Sequence, residues 1–373
     1  MHKPSVHDFS QPDTGNQAVP VYLVAGYLFF VIYGSLVPFS WNGLAFDTAW
    51  ENFQHIPLLE LGVASRADLV ANLLLYIPLG LLTCGLFTGR SRDPLVLATG
   101  IVLSLLFSTV IALAVEFTQQ FFSPRTVSLN DLYAEFAGAL SGALLWPLNG
   151  MRLQKITLDI LHGGKNARHA ALLTYTLVYL ILSFFPYDLL LSYDEWQQKL
   201  TSGQIGWLFA PSCGNSCAWK LIPEALLVAP LAIFLFQPLQ RTSLILAATT
   251  GIMLGVLIEG LQLTIVSGIS QGASIISRMA GMMLGTALIQ ISPRVNWYWL
   301  HPYIRPLLLL GLIPYPGVLV LINYRLSGNW LGLTEGIERL KEIHFLPFYY
   351  HYFTTELAAL MSLLLQAGAY LPV

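Results

Sequence analysis

Apolar runs of about twenty residues recur along the whole chain, and they constrain its fold more than any other feature. A run of that length crosses the ~30 Å hydrocarbon core of a bilayer as one α-helix. Charged residues make up only 10% of the chain, whereas ordinary soluble domains contain roughly 25%. The sequence therefore predicts an all-α integral membrane protein that crosses the bilayer many times.

Ten transmembrane helices are predicted. The connections on the side of the N-terminus are short and carry more Lys and Arg than the long connections on the other side. Because short basic loops face the cytoplasm, the N-terminus is predicted inside and the loops near 38–66, 188–218 and 323–351 outside. The predicted spans are 19–37, 67–87, 95–121, 129–148, 170–187, 219–238, 243–265, 272–291, 304–322 and 352–373.

The chain also repeats itself. The segment VEFTQQFFSPRTVSLNDLYAEFAGALSG matches a second segment 143 positions later without a gap, and Pro78, Pro230 and Pro372 each follow a polar residue by six positions. This indicates four-helix repeats at 1–150 and 151–300 and the first half of a third at 301–373. Since the third copy stops one residue after its proline, we expect the chain to be a piece of a longer protein.

Polar residues occupy the predicted helices in pairs three or four positions apart, so that each pair projects from one helix face. With the predicted topology, all of them lie within about 10 Å of the outer boundary at 1.5 Å per residue. Ionisable groups in such helices usually face a bundle interior or a water-filled cavity. The predicted ligand-binding residues are Asp68, Asn72, Glu116, Gln119, Arg125, Asp131 and Glu135.

Two interpretations of this group stay open. Its members either satisfy one another and hold three helices together, as buried polar groups must, or they bind a ligand. With Arg66 and Arg125 set against four carboxylates, the group is net negative when all are ionised. A carboxylate is then protonated, or a divalent cation is bound, and the residues do not decide between the two.

The second copy has a different charge pattern and is interpreted as structural. It has Gly268, Ser274 and Arg278 at the positions of Arg125, Asp131 and Glu135. Lys220 with Glu224, and Arg278 with Glu259, are expected to neutralise one another. Glycines four apart favour close helix packing. The residues predicted to be structural are Pro78, Gly138, Gly142, Glu224, Glu259, Gln262, Arg278, Gly281 and Gly285.

Other chemistry is weakly indicated. Cys213 and Cys217 lie in a loop predicted to face the oxidising side, so a disulfide between them is expected. No nucleophile–base arrangement, glycine-rich phosphate loop or Cys/His metal pattern is visible, so no metal site and no cofactor is predicted. The net charge of −2 and the absence of a basic run give no reason to expect nucleic acid as a partner.

The string RADLVANLLLYIPLG, a helix ending in Glu-x-x-Gln, a Pro-Arg pair and NDLYAEFAGALSG resemble the VanZ-like family. The resemblance covers about 55–148 well and about 205–290 in degenerate form. The sequence departs from the family at Glu135, where Asn is more common. The matching positions are Asp68, Asn72, Pro78, Gly80, Glu116, Gln119, Arg125, Asp131, Gly138 and Gly142.

The resemblance implies a multi-pass protein of the bacterial cell membrane. The founding member is linked to low-level resistance to the glycopeptide teicoplanin, and other members occur near exopolysaccharide genes. A membrane lipid or lipid-linked sugar is the expected ligand, and envelope polysaccharide machinery a further partner. Two alternatives remain: an enzyme that uses Glu116 or Asp131 as general base on such a substrate, and a non-catalytic membrane scaffold.

The predicted topology has a direct test in a single cysteine introduced next to Lys155, in the connection 149–169. Because this basic segment is predicted to face the cytoplasm, a membrane-impermeant thiol reagent should label it in inverted vesicles and not in intact cells. Labelling from outside the cell would show that the orientation is the reverse of the predicted one.

Overall fold

The protein is described by a computed structural model over residues 21–89, 91–163, 165–214, 216–236 and 243–291. Further described segments are 302–303, 306, 310–311, 314–322, 332–354 and 356–370. The chain divides into two compact units, Met1–Ala171 and Leu172–Val373. Both are built almost entirely from α-helices. The repeat boundaries at 150 and 300 stay a prediction, and Pro372 lies outside the described residues.

The first unit has a core of three long helices. Helix α3 packs mainly against α5, and α4 packs against both. The short strand β1 pairs antiparallel with β2, which ties the segment after α1 to the segment after α4. The elements are α1 Val21–Leu36, β1 Ser40–Trp41, α2 Phe46–Gln54, α3 Val63–Thr88, α4 Pro94–Gln119, β2 Phe122–Ser123 and α5 Leu129–His162.

The second unit has a similar core, in which α10 packs against α8 and α9. The strand β3 pairs with β4, here in parallel. Helix α6, Lys165–Leu182, begins just before the division between the units. The other elements are α7 Tyr193–Thr201, β3 Ile205–Gly206, a 3-10 turn at Pro211–Cys213, α8 Ser216–Phe236, α9 Leu244–Gln262, β4 Ser270–Gln271, α10 Gly272–Ile291, α11 Tyr315–Ile322, α12 Leu333–Glu342, α13 Tyr349–Tyr352 and α14 Glu356–Tyr370.

Five helices of the described chain are long and apolar enough to cross a membrane. Large apolar side chains such as Leu95, Ile245 and Met253 project from them and are mostly exposed, as expected for a surface in contact with lipid. These features support the predicted all-α membrane protein, and the number of ten spans stays a prediction. The five segments are Ser65–Thr88, Pro94–Gln119, Ala218–Phe236, Leu244–Gln262 and Gly272–Ile291.

One expectation about a connection is wrong. The sequence predicts a loop from 149 to 169, but α5 continues without interruption to His162. The residues after Pro147 include Met, Arg, Leu, Gln and Lys, which are good helix formers, so the helix extends beyond the apolar segment. It ends at Gly163, whose φ of 74° a residue with a side chain rarely adopts.

Glycines allow the long helices to touch through their backbones. A Cβ added at Gly138 would overlap the carbonyl oxygen of Leu73, and one at Gly142 would overlap that of Ile77. From the opposite side, a Cβ at Gly80 would overlap the carbonyl oxygen of Ala139. Helices α3 and α5 therefore approach more closely than any larger residue would permit.

The second unit contains the same kind of contact between α8 and α10. A Cβ at Gly281 would overlap the carbonyl oxygen of Ala225, and one at Gly285 would overlap that of Ala229. These are the two glycines that the sequence places 143 positions after Gly138 and Gly142. In each unit, the first and third of the three core helices are held together at a pair of glycines.

Substitution of Gly142 by Ala tests this packing. The new methyl group must push α3 away from α5, and overpacking of this kind costs about 1–3 kcal/mol. We expect a lower unfolding temperature of the purified protein and less protein in the membrane. The matched control is Gly26→Ala in α1, where an added Cβ meets nothing within 4 Å. Equal unfolding temperatures for the two variants would show that the α3–α5 contact tolerates a side chain.

A polar cluster at one end of the first unit

The polar cluster forms where α3 begins, α4 ends and α5 begins. Asn72 Nδ2 donates a hydrogen bond of 2.8 Å to Asp131 Oδ1 and thereby joins α3 to α5. Ser128, the N-cap of α5, donates to Asp131 Oδ2 at 2.6 Å and accepts from the Asp131 backbone N–H at 3.3 Å. A carboxylate in the first turn of a helix is also stabilised by the helix dipole. Asp131 is therefore held firmly in one place.

Two carboxylates lie deeper in this cluster. Glu116, in the last turn of α4, and Glu135, in the second turn of α5, are each only 2% exposed. Glu135 and Asp131 are both within electrostatic range of Glu116. Burial of like charges beside one another is costly unless a proton or a cation relieves the repulsion.

Tyr76 completes the buried part of the cluster. It lies on α3, is fully buried, and its hydroxyl faces Glu135 and lies within electrostatic range of Glu116. Within the described part of the chain, Glu116 Oε2 and Glu135 Oε2 have no hydrogen-bond partner, and Tyr76 OH has no partner at regular hydrogen-bond geometry although it interacts with the Glu135 carboxyl group. Three buried oxygens thus have a hydrogen-bonding capacity that the surrounding protein does not use.

Two of the predicted ligand-binding residues instead hold the end of α1. Arg125 donates from Nε to the carbonyl of Val37 at 2.7 Å and from a terminal nitrogen to that of Gly34 at 2.8 Å. Gln119 Nε2 donates to the carbonyl of Ser35 at 3.0 Å. These contacts satisfy carbonyls that have no partner within the helix. Arg125 also lies within electrostatic range of Glu116, and its role as partner of a bound anion stays a prediction.

The structure thus brings together four of the seven predicted residues: Asn72, Glu116, Asp131 and Glu135. Asp68 is exposed one helical turn before Asn72, at the rim of the cluster. All seven lie at the same end of the helix group. Sequence reasoning did not include Tyr76 or Ser128. Tyr76 lies on the same helix face as Asn72, four residues later, and Ser128 stands three residues before Asp131 as a helix cap does.

The matching place in the second unit contains paired charges. Arg278 NH1 lies 2.6 Å from Glu259 Oε1, and Lys220 Nζ lies 3.3 Å from Glu224 Oε1. These are the two ion pairs that the sequence predicts. Arg278 NH2 also lies 3.9 Å from Glu224 Oε1, and Glu259 Oε2 accepts a 2.6 Å hydrogen bond from the Gln271 backbone N–H. The second unit neutralises its buried carboxylates with its own cations.

Lys199 is a further buried cation that sequence reasoning did not single out. It lies on α7, is 3% exposed, and donates to the carbonyls of Gln262, Ile265 and Gly268 at and just after the end of α9. Burial lowers the pKa of its ammonium group, and the Asp188 carboxylate opposes that shift. The negative end of the α9 dipole favours a positive charge at this position, so Lys199 joins α7 to the end of α9.

Two other predictions have different outcomes. The side chains of Cys213 and Cys217 lie outside the described residues, so their disulfide stays a prediction. Among the His, Cys, Asp and Glu residues that the structure describes, no group of three or more is arranged to hold a metal ion.

Comparison with known families supports the resemblance seen in the sequence. Residues 10–150 match the family model named VanZ/LLP1. A search of curated proteins gave no match, and a search of solved structures gave none either. The matched segment contains every residue of the polar cluster, and the match supports a VanZ-like assignment of residues 10–150.

The ion pair in the second unit can be tested by substitution. Arg278→Gln leaves Glu259 buried without a cation, and breaking a buried pair in this way costs about 3–5 kcal/mol. We expect a large loss of thermal stability, and a smaller loss when Glu259→Gln is added to the same protein. The control is Lys220→Gln. The Lys220 side chain is 42% exposed, and an exposed ion pair such as the one with Glu224 contributes about 0–1 kcal/mol. Additive effects of Arg278→Gln and Glu259→Gln would contradict a coupled pair.

Proposed function

We propose that the VanZ-like region of this chain, residues 10–150, binds a lipid or a lipid-linked saccharide of the cell envelope through its polar cluster. The observation that carries the proposal is the buried pair Glu116 and Glu135, whose Oε2 atoms no described residue satisfies. A purely structural cluster is expected to pair its buried charges internally, since an unpaired buried polar group is costly. The second unit pairs its buried carboxylates with cations, Arg278 with Glu259 and Lys220 with Glu224, although the Glu224 oxygens form no hydrogen bond.

The position of the cluster favours a ligand from the membrane. Glu116 is three residues from the end of α4, which is about 5 Å along the helix axis. If α4 spans the bilayer, this position favours a cluster close to the depth at which lipid head groups meet the hydrocarbon core. In the predicted topology, with the N-terminus in the cytoplasm, that boundary belongs to the outer leaflet. Apolar side chains around α4 would then contact the acyl chains of the same leaflet.

We also propose that the second unit is a degenerate copy of the first within an architecture of ten spans. The paired glycines support this, as does a second contact. The Asn42 backbone N–H donates to the carbonyl of Phe121 at 3.0 Å, and the Leu190 N–H donates to that of Thr264 at 2.8 Å. In each unit, the segment that follows the first helix is thus hydrogen-bonded to the residues just after a core helix. That helix is α4 in the first unit and α9 in the second. The ligand belongs to the first copy, where the cluster is acidic.

The ligand can be identified by lipid analysis of the purified protein. Wild-type protein should carry a lipid or lipid-linked saccharide at a level above that of the surrounding membrane, and Glu116→Gln should lose it because one buried acceptor charge is removed. The control is Glu51→Gln, the same change at an exposed position on α2, which should retain the ligand. A wild-type protein with no enriched lipid would contradict the proposal.

Membrane abundance, scored separately in the same experiment, distinguishes binding from folding. Asp131→Asn should change the envelope phenotype at near-normal abundance, because its side chain is partly exposed and can rehydrate. Arg125→Gln also removes two hydrogen bonds to the end of α1 and should lower abundance, as should Glu259→Gln and Arg278→Gln. If Asp131→Asn merely depletes the protein, the cluster holds helices together and binds nothing.

A further inference from the structure

The ligand chemistry can be specified further from the buried oxygens of the polar cluster. We propose that the group recognised there is a protonated primary amine, carried by the head group or the sugar of the bound lipid. This inference rests on the proposed function, because it names the part of the ligand that enters the cluster. It starts from Glu116 Oε2 and Glu135 Oε2, which no described residue satisfies, and from Tyr76 OH, which interacts with the Glu135 carboxyl group and has no described donor. The three side chains are at least 98% buried.

One position at this place carries opposite charges in the two units. Glu259 in α9 stands 143 positions after Glu116, and Arg278 in α10 stands 143 positions after Glu135. The guanidinium of Arg278 lies between two carboxylates, 2.6 Å from Glu259 and 3.9 Å from Glu224. The first unit has a carboxylate where the second has this cation. A positive group supplied by a ligand would occupy the place of this cation and reduce the negative charge of the first unit.

The donor and acceptor count favours a primary ammonium. Such a group has three N–H donors and no acceptor, and the cluster offers three acceptor oxygens. Hydrogen bonds between an ionised donor and a carboxylate are roughly twice as strong as neutral ones. A phosphate would meet Glu116, Asp131 and Glu135 as like charges, and a quaternary ammonium has no N–H to donate.

Polar side chains lead from the surface to this pair. Asp68 is exposed on α3, and Asn72 and Asp131, bonded to each other, are half-buried one turn further in. Glu116 and Glu135 lie beyond them. An amine that arrives from the bilayer boundary therefore meets carboxylates at each depth, and its lipid tail stays among the apolar side chains outside.

Three probes with the same six-carbon tail test the inference on the purified full-length protein. These are hexylamine, hexanol and hexyltrimethylammonium, compared at neutral pH through the shift in unfolding temperature. We expect hexylamine to raise the unfolding temperature of the wild type well above the effect of the other two. Equal shifts for all three would show that only the tail binds. No shift with hexylamine would show that a proton is what the buried carboxylates hold. Either result overturns the inference.

Substitutions in the polar cluster test whether hexylamine binds there. Glu135→Gln should weaken hexylamine binding by about tenfold or more, and Tyr76→Phe by less, because the former removes a charged acceptor and the latter a neutral one. Glu135→Arg places the cation of the second unit in the first, so it should abolish hexylamine binding while the protein unfolds at the same or a higher temperature. Undiminished hexylamine binding in Glu135→Gln would place the amine elsewhere and refute the inference.

Failure of this inference is distinguishable from failure of the proposed function. If the wild type is purified with a lipid that has no amine, and Glu116→Gln loses that lipid, the proposed function stands and the amine is refuted. If the enriched lipid carries a primary amine, and its chemically N-acetylated form no longer exchanges into the protein, both stand.

Discussion

The contact between the backbones of α3 and α5 is the constraint on which the first unit depends. Gly80, Gly138 and Gly142 leave no space between the two helices for a side chain. Only this close approach brings Asn72 on α3 within 2.8 Å of Asp131 on α5. Hydrogen bonds between helices add little driving force by themselves in a membrane. The polar cluster is therefore a consequence of helix packing, and its geometry is set by residues that have no polar side chain.

The rest of the unit fixes what surrounds the cluster. Helix α4 is joined to the segment after α1 by the β1–β2 pairing, and Arg125 and Gln119 bind the last carbonyls of α1. These contacts hold the end of α4, and so place Glu116, against the start of α5. In the second unit the same region is fastened by Lys199, which binds three carbonyls at and just after the end of α9. In each unit a basic side chain thus binds backbone carbonyls at a helix end. It is Arg125, at the end of α1, in the first unit and Lys199, at the end of α9, in the second.

The contrast in charge between the units gives the strongest argument about function. Both units bury carboxylates at the same end of three packed helices. In the second, the basic side chains of Arg278 and Lys220 pair with them directly. An unpaired carboxylate buried in a helix bundle lowers stability, and its presence is easiest to explain when something else binds there. The VanZ-like match covers residues 10–150, which contain the acidic cluster, and ends before the second unit.

The sequence by itself determined the class of fold, the positions of the five long apolar helices and the polar residues that share a helix face. These follow from composition and from periods of three and four residues, which depend on local geometry alone. It also predicted the Glu259–Arg278 pair, since the 143-residue offset placed opposite charges on helices expected to pack together. The continuation of α5 to His162 was missed because the end of an apolar segment was taken as the end of the helix.

Only the tertiary structure decided which predicted residues meet. It assigned Gln119 and Arg125 to the end of α1 and brought Tyr76 to Glu135 and Glu116. The direction of a long side chain depends on the carbonyls and charges of other helices, which no local period encodes. Burial likewise depends on every element that covers a residue. The sequence showed Glu116 and Glu135 as carboxylates near a helix end, and the packing of three helices made them a buried pair with unused oxygens.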